Sequence, residues 1–116
     1  MISLQTARQL ALSYEGVEEQ SHFEKPSFRI KKKIFLTLDE KNQVACIRLD
    51  EIEQDIFCRI DTTLIYPVPN KWGKQGWTFV ALQSIKKELF QEALTASYCH
   101  VAPKNLAAKY RLESEG

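Results

Sequence analysis

Apolar residues recur every second position through Phe28 and Ile30, and again through Ile34, Leu36 and Leu38, with the basic run Lys31-Lys32-Lys33 between the two stretches. Side chains of a strand alternate between faces, so this pattern predicts two strands meeting at a tight, basic corner. Pro26 cannot donate a ladder hydrogen bond and therefore marks a strand start or a sheet edge. The corner contains neither Gly nor Asn, so a two-residue primed turn is not strongly signalled.

Upstream, Ser3 is placed to cap a helix reaching about Tyr14, with Leu4, Ala7, Ala11 and Tyr14 on one stripe and Gly16 as its stop. Val17 to Gln20 carries Glu18 and Glu19 and is expected to be loop. Downstream, Asp39 to Gln43 reads as a turn and Val44 to Leu49 as a third strand, completing an antiparallel meander. Asp50 caps a second helix whose apolar points are Ile52, Ile56, Phe57 and Ile60. The segment Asp61 to Gly76 is rich in turn residues, with Leu64-Ile65-Tyr66 as a short strand. Trp77 to Leu82 is aromatic and β-branched, as a strand requires, and Trp77 is expected in the core. Ser84 would cap a third helix with Ile85, Leu89, Ala93, Leu94 and Tyr98 as core stripe, and Pro103 opens a last one marked by Leu106 and Tyr110. The predicted order is α-β-β-β-α-β-β-α-α, an α+β fold.

At 116 residues the chain is expected to form a single domain over 1–116, large enough for a core without metal or disulfide staples. Its 44% hydrophobic and 27% charged content is that of a globular protein. The 16 basic residues barely exceed the 15 acidic ones, so a net charge of +1 exerts no global pull on polyanions and any attraction must be local. Cys46, Cys58 and Cys99 form no CxxC pair and are expected as reduced thiols. With neither a signal-like N-terminus nor a long apolar run, a cytoplasmic location is expected.

Gly16-Val17-Glu18-Glu19, His22-Phe23, Pro26-Ser27-Phe28-Arg29 and Lys33-Ile34-Phe35, followed by Gly76-Trp77-Thr78-Phe79-Val80 and Ala96-Ser97-Tyr98, together resemble the MmcQ/YjbR family of small bacterial proteins. The resemblance runs in order through nearly the whole chain. It implies a frataxin-like (CyaY-like) fold, a twisted antiparallel sheet packed against helices. It also implies the activity with which that family is commonly described, DNA binding through a double wing.

The candidate chemistry divides accordingly. Lys25, Arg29, Lys31, Lys32 and Lys33 around the first corner could lie along the phosphates of double-stranded DNA, and Lys71, Trp72 and Lys74 beside two glycines would form a second wing or a stacking platform. Lysines at a turn also keep a sheet edge soluble, and Trp72 could simply anchor its loop. Lys41, at the next turn, is expected at the opposite end of the meander, and Glu18, Glu19, Glu24, Asp39 and Glu40 flank the wings. A small-molecule, drug-like binding module using His22, Ser27, Arg29 and Trp72 is the alternative, and a protein-interaction adaptor a third reading. No nucleophile elbow, glycine-rich phosphate loop or metal-ligand spacing is present, so a monomeric, non-enzymatic protein without cofactor or metal is expected.

Overall fold

A computed structural model describes residues 1–22 and 24–115, with side chains except at His22 and residues 112–115. Phe23, a member of the motif quoted above, lies outside the described residues. The elements run α1 (Leu4–Leu12), β1 (Val17–His22), β2 (Lys25–Ile30), β3 (Lys33–Asp39), β4 (Val44–Arg48), α2 (Glu51–Ile60), β5 (Ile65–Pro67), α3 (Lys71–Lys74), β6 (Trp77–Ala81), α4 (Lys87–Val101) and α5 (Lys104–Glu115). The predicted order is present, with β1 and the single turn α3 added to it. All six strands form one antiparallel sheet in the order β1-β2-β3-β4-β6-β5.

The expected loop at Val17 to Gln20 is thus the edge strand β1, paired with β2 from Val17↔Ile30 to His22↔Lys25. An edge strand leaves one side of its backbone in water and tolerates charge along its length, which hides it from a reading based on apolar content. Glu19 of this strand receives a hydrogen bond from Arg8 of α1 at 2.6 Å, tying strand to helix.

One face of the sheet holds the core. Phe28, Ile30, Leu36, Leu38, Ala45, Ile47, Ile65 and Val80 are all buried, and Ala7 and Ala11 of α1 with Phe90, Ala93, Leu94 and Tyr98 of α4 are buried with them. The pairing of β2 with β3 slips between Phe28 and Arg29, so Phe35 is an extra residue and both Phe35 and Leu36 point inward. Tyr14 stacks on Tyr98 at 4.8 Å, Phe35 meets Tyr98 edge-on at 5.8 Å and Tyr110 joins at 4.9 Å, so one aromatic cluster unites α1, β3, α4 and α5. No helix among the described residues is long and apolar enough to cross a membrane.

Two helices depart from expectation. In α2, capped by Asp50 as predicted, Ile52, Ile56 and Ile60 are 73%, 55% and 54% exposed and form the outward stripe. The inward side is fixed by Phe57, packed against the core, and by Gln54, whose Nε2 donates to Gly73 O at 2.9 Å and Thr78 Oγ1 at 3.1 Å. In α4 the capping position is Lys86 rather than Ser84. Ser84 and Ile85 are held in a turn by their N–H groups donating to Ala81 O, and Ile85 O accepts the N-terminal ammonium of Met1 at 3.0 Å.

Candidate functional site

The basic corner is a two-residue turn after all. Ile30 pairs with Lys33, and between them Lys31 and Lys32 have φ of 51° and 72°. Left-handed backbone at both central positions is the primed geometry that matches strand twist, here adopted by two lysines in place of Asn-Gly. Lys33, as cross-strand partner of buried Ile30, lies on the helix-bearing face.

Lys31 and Lys33 thereby line a groove of about 860 Å³ between the corner and the junction of α4 with α5, together with His100, Lys104 and Arg111. Every charged side chain lining it is cationic, and its remaining wall is apolar, from Val101 to Pro103 and along Ala107 and Ala108. The helix α5 starts here, adding the positive end of its dipole. Arg111 Nη2 donates to Cys99 O at 3.5 Å, which holds its guanidinium beside the groove. Burial pushes the His100 pKa below its ordinary value; Asp50 opposes this and Arg48 and Arg111 reinforce it, so the imidazole is neutral near pH 7. The sequence offered one overlooked signal, Lys104 and Arg111 seven apart on one helix, two turns along the same side.

Strand register places the other candidates. Trp77, which follows α3 directly, pairs with Arg48, and Leu36 pairs with Ile47, so α3 with Lys71 and Lys74 sits at the same end of the sheet as Lys31 to Lys33. Lys25 and Lys41 lie at the opposite end, with Glu24, Asp39 and Glu40. Lys25 reaches Asp39 at 3.5 Å. Hydrogen bonds from Asn42 hold the Asp39 carboxyl below the ordinary carboxylate range, with Lys25 adding to the effect.

Arg29 and Ser27 point to the sheet face opposite the core. Arg29 Nε donates to Ser27 Oγ at 3.2 Å, and Ser27, fully buried, donates to Gln20 O at 2.8 Å, so the two brace β2 against β1. Trp72 is elsewhere on this face, in a slot it shares with Lys25, Thr37, Cys46, Trp77 and Phe79, and neither Ser27 nor Arg29 lines that slot. The side chain of His22 lies outside the described residues. Trp77 is half-buried here, not in the core, because its partner Arg48 alternates with buried Ile47 and faces away from the helices; the Arg48 guanidinium sits 5.6 Å from the Trp77 ring. Burial pushes the Cys46 thiol up to about 11, so it is protonated and unreactive at neutral pH. Among the described residues no group of three or more His, Cys, Asp or Glu could hold a metal ion.

Comparison with known proteins adds the family. No curated protein matches the chain. Among solved structures it is similar to the crystal structure of Deinococcus radiodurans protein DR2400, whose domain is described as DUF419, at 19% identity and a TM-score of 0.77, over 95% of this chain and 88% of that one. That likeness shows the fold. A family model described as YjbR matches residues 12–100, most of the chain and all of the sheet. The fold, the order of the motifs and this match agree, and the chain belongs to the YjbR family.

Proposed function

We propose that the protein is a non-enzymatic, cytoplasmic DNA-binding protein that holds the phosphates of duplex DNA at the basic end of its sheet. The observation that carries this reading is the groove whose every charged lining residue is cationic, Lys31, Lys33, Lys104 and Arg111, with neutral His100 among them. The tip lysine Lys32 and the α3 lysines Lys71 and Lys74 extend the same end, one as part of the β2–β3 wing and two as the second. Of the acids that border the wings in sequence, Glu24, Asp39 and Glu40 sit at the far end of the strands, whereas Glu18 and Glu19 pair with Arg29 and Phe28 near the corner, Glu19 being neutralised by Arg8. The setting fits three free cysteines, on β4, α2 and α4.

Fluorescence anisotropy of labelled duplex DNA over a salt series tests the reading. Binding should weaken with salt, and Lys31→Glu, Lys33→Glu and Lys104→Glu together should abolish it or lower the slope of log K against log salt by about 3, one phosphate contact per lysine. Lys41→Glu with Lys86→Glu and Lys87→Glu, at the other end of the molecule, should leave that slope nearly unchanged. Absence of binding by the native protein at low salt overturns the reading.

A further inference from the structure

The slot, on the sheet face opposite the core, is separate from the basic groove. Thr37, Cys46 and Phe79 are consecutive cross-strand partners on β3, β4 and β6, so they form one flat rung that serves as its floor. The next rung brings Trp77 up as a wall. Trp72 lines the slot from α3 and remains 49% exposed, so the slot, about 390 Å³, is open to solvent.

This geometry is built rather than incidental. The helix α3 is capped by Asn70 Oδ1 accepting from Trp72 N at 2.8 Å, and Gln54 of α2 holds it from beneath through Gly73 O. A Cβ at Gly73 would stand 2.1 Å from Val68 O, so only glycine lets the turn seat this deeply and carry Trp72 over the sheet. Lys25 is the charged residue that lines the slot, at the end beyond Thr37, while the Arg48 guanidinium and the Lys71 ammonium lie 5.6 Å and 5.9 Å from the Trp77 and Trp72 rings that wall it. The Lys25 ammonium is 3.5 Å from Asp39 and its side chain is 52% exposed, so it can turn to a second anion at modest cost.

We propose that this slot binds a small planar aromatic ligand bearing an acidic group, the ring packing against Trp72, Trp77 and Phe79 and the anion meeting Lys25. Aromatic walls favour a flat π-system in offset or edge contact, and a pocket that is mostly apolar with one placed charge orients such a ligand. The thiol of Cys46 contributes only packing, being protonated.

The chain's two tryptophans both line the slot, so intrinsic emission reports its occupancy. Titration with 2-naphthoate, followed by emission and by calorimetry, should give saturable binding of one ligand per chain. Lys25→Met should weaken 2-naphthoate about fivefold while leaving 2-naphthalenemethanol unchanged, as expected for one exposed ion pair. Cys46→Phe, which fills the floor, should abolish both; if it fails to fold by circular dichroism, Trp72→Ala, at a half-exposed position, should weaken both. Replacing Lys31, Lys33 and Lys104 by Glu should leave naphthoate binding unchanged, which separates the slot from the DNA groove. No saturable binding into the millimolar range, equal response of acid and alcohol to Lys25→Met, or binding that survives a folded Cys46→Phe overturns the proposal.

Discussion

Ser97 is fully buried on α4, and its hydroxyl serves two strands at once: it accepts from Arg48 N at 3.0 Å and donates to Phe35 O at 2.7 Å. Phe35 is the extra residue of the β3 bulge, so its carbonyl needs a partner outside the ladder. Ser97→Ala should therefore lower stability by about 1–3 kcal/mol, the cost of leaving buried backbone groups unpaired, as read by urea denaturation. Serine in the middle of a helix looks like a mere neutral residue until the strands it touches are known. Lys32 presents the reverse case, local strain in an exposed residue. At φ of 72° it occupies backbone space that glycine takes without penalty, so Lys32→Gly should raise stability by about 0.5–1 kcal/mol in the same assay. With Lys31 and Lys33 retained, it should cost DNA binding no more than one unit of salt slope. A turn that keeps lysine where glycine would be more stable is consistent with retention of charge at the corner.

The short elements carry more of the candidate sites than the long ones. The turn α3 was hidden in a stretch that reads as breakers, yet it presents Trp72 to the open face, with the Lys71 ammonium 5.9 Å from its ring. Its seating depends on Gly73. Gly73→Ala would drive a methyl group into Val68 O, so the turn should lift away, with a loss of roughly 2–3 kcal/mol and a red shift of tryptophan emission. An unshifted spectrum in a folded variant would show that α3 tolerates the methyl and that its glycine is dispensable. The helix α2 teaches a different lesson. Its isoleucines recur every fourth residue, the period of a buried stripe, and all three face water. Helix orientation was decided instead by Phe57 and by Gln54, whose amide donates to Gly73 O and Thr78 Oγ1 together. Periodicity finds a helix reliably and its inner face less so, because polar anchors to neighbouring elements compete with apolar burial.

Across the whole molecule, a net charge of +1 conceals a local cluster of cations at one end of the helix-bearing face, with the acids Glu18, Asp50 and Glu53 near it. Antiparallel strands carry residues adjacent in sequence to opposite ends: the β2–β3 corner is at one end, and the turns holding Glu24, Asp39 and Glu40 are at the other. The α4–α5 junction then adds Lys104 and Arg111 to the end that already holds Lys31 and Lys33. The α+β class, the strands β2, β3, β4 and β6, the caps at Ser3 and Asp50 and the family itself were all determined by the sequence alone. Each depends on local period, on a capping side chain or on motifs in order, and none needs to know what lies across space. The edge strand β1, the outward stripe of α2, the basic groove and the tryptophan slot were decided only by the tertiary structure. Register and helix orientation bring together residues such as Lys33 and Lys104, or Lys25 and Trp72, that are remote along the chain, and no local pattern encodes which distant residues will share a surface.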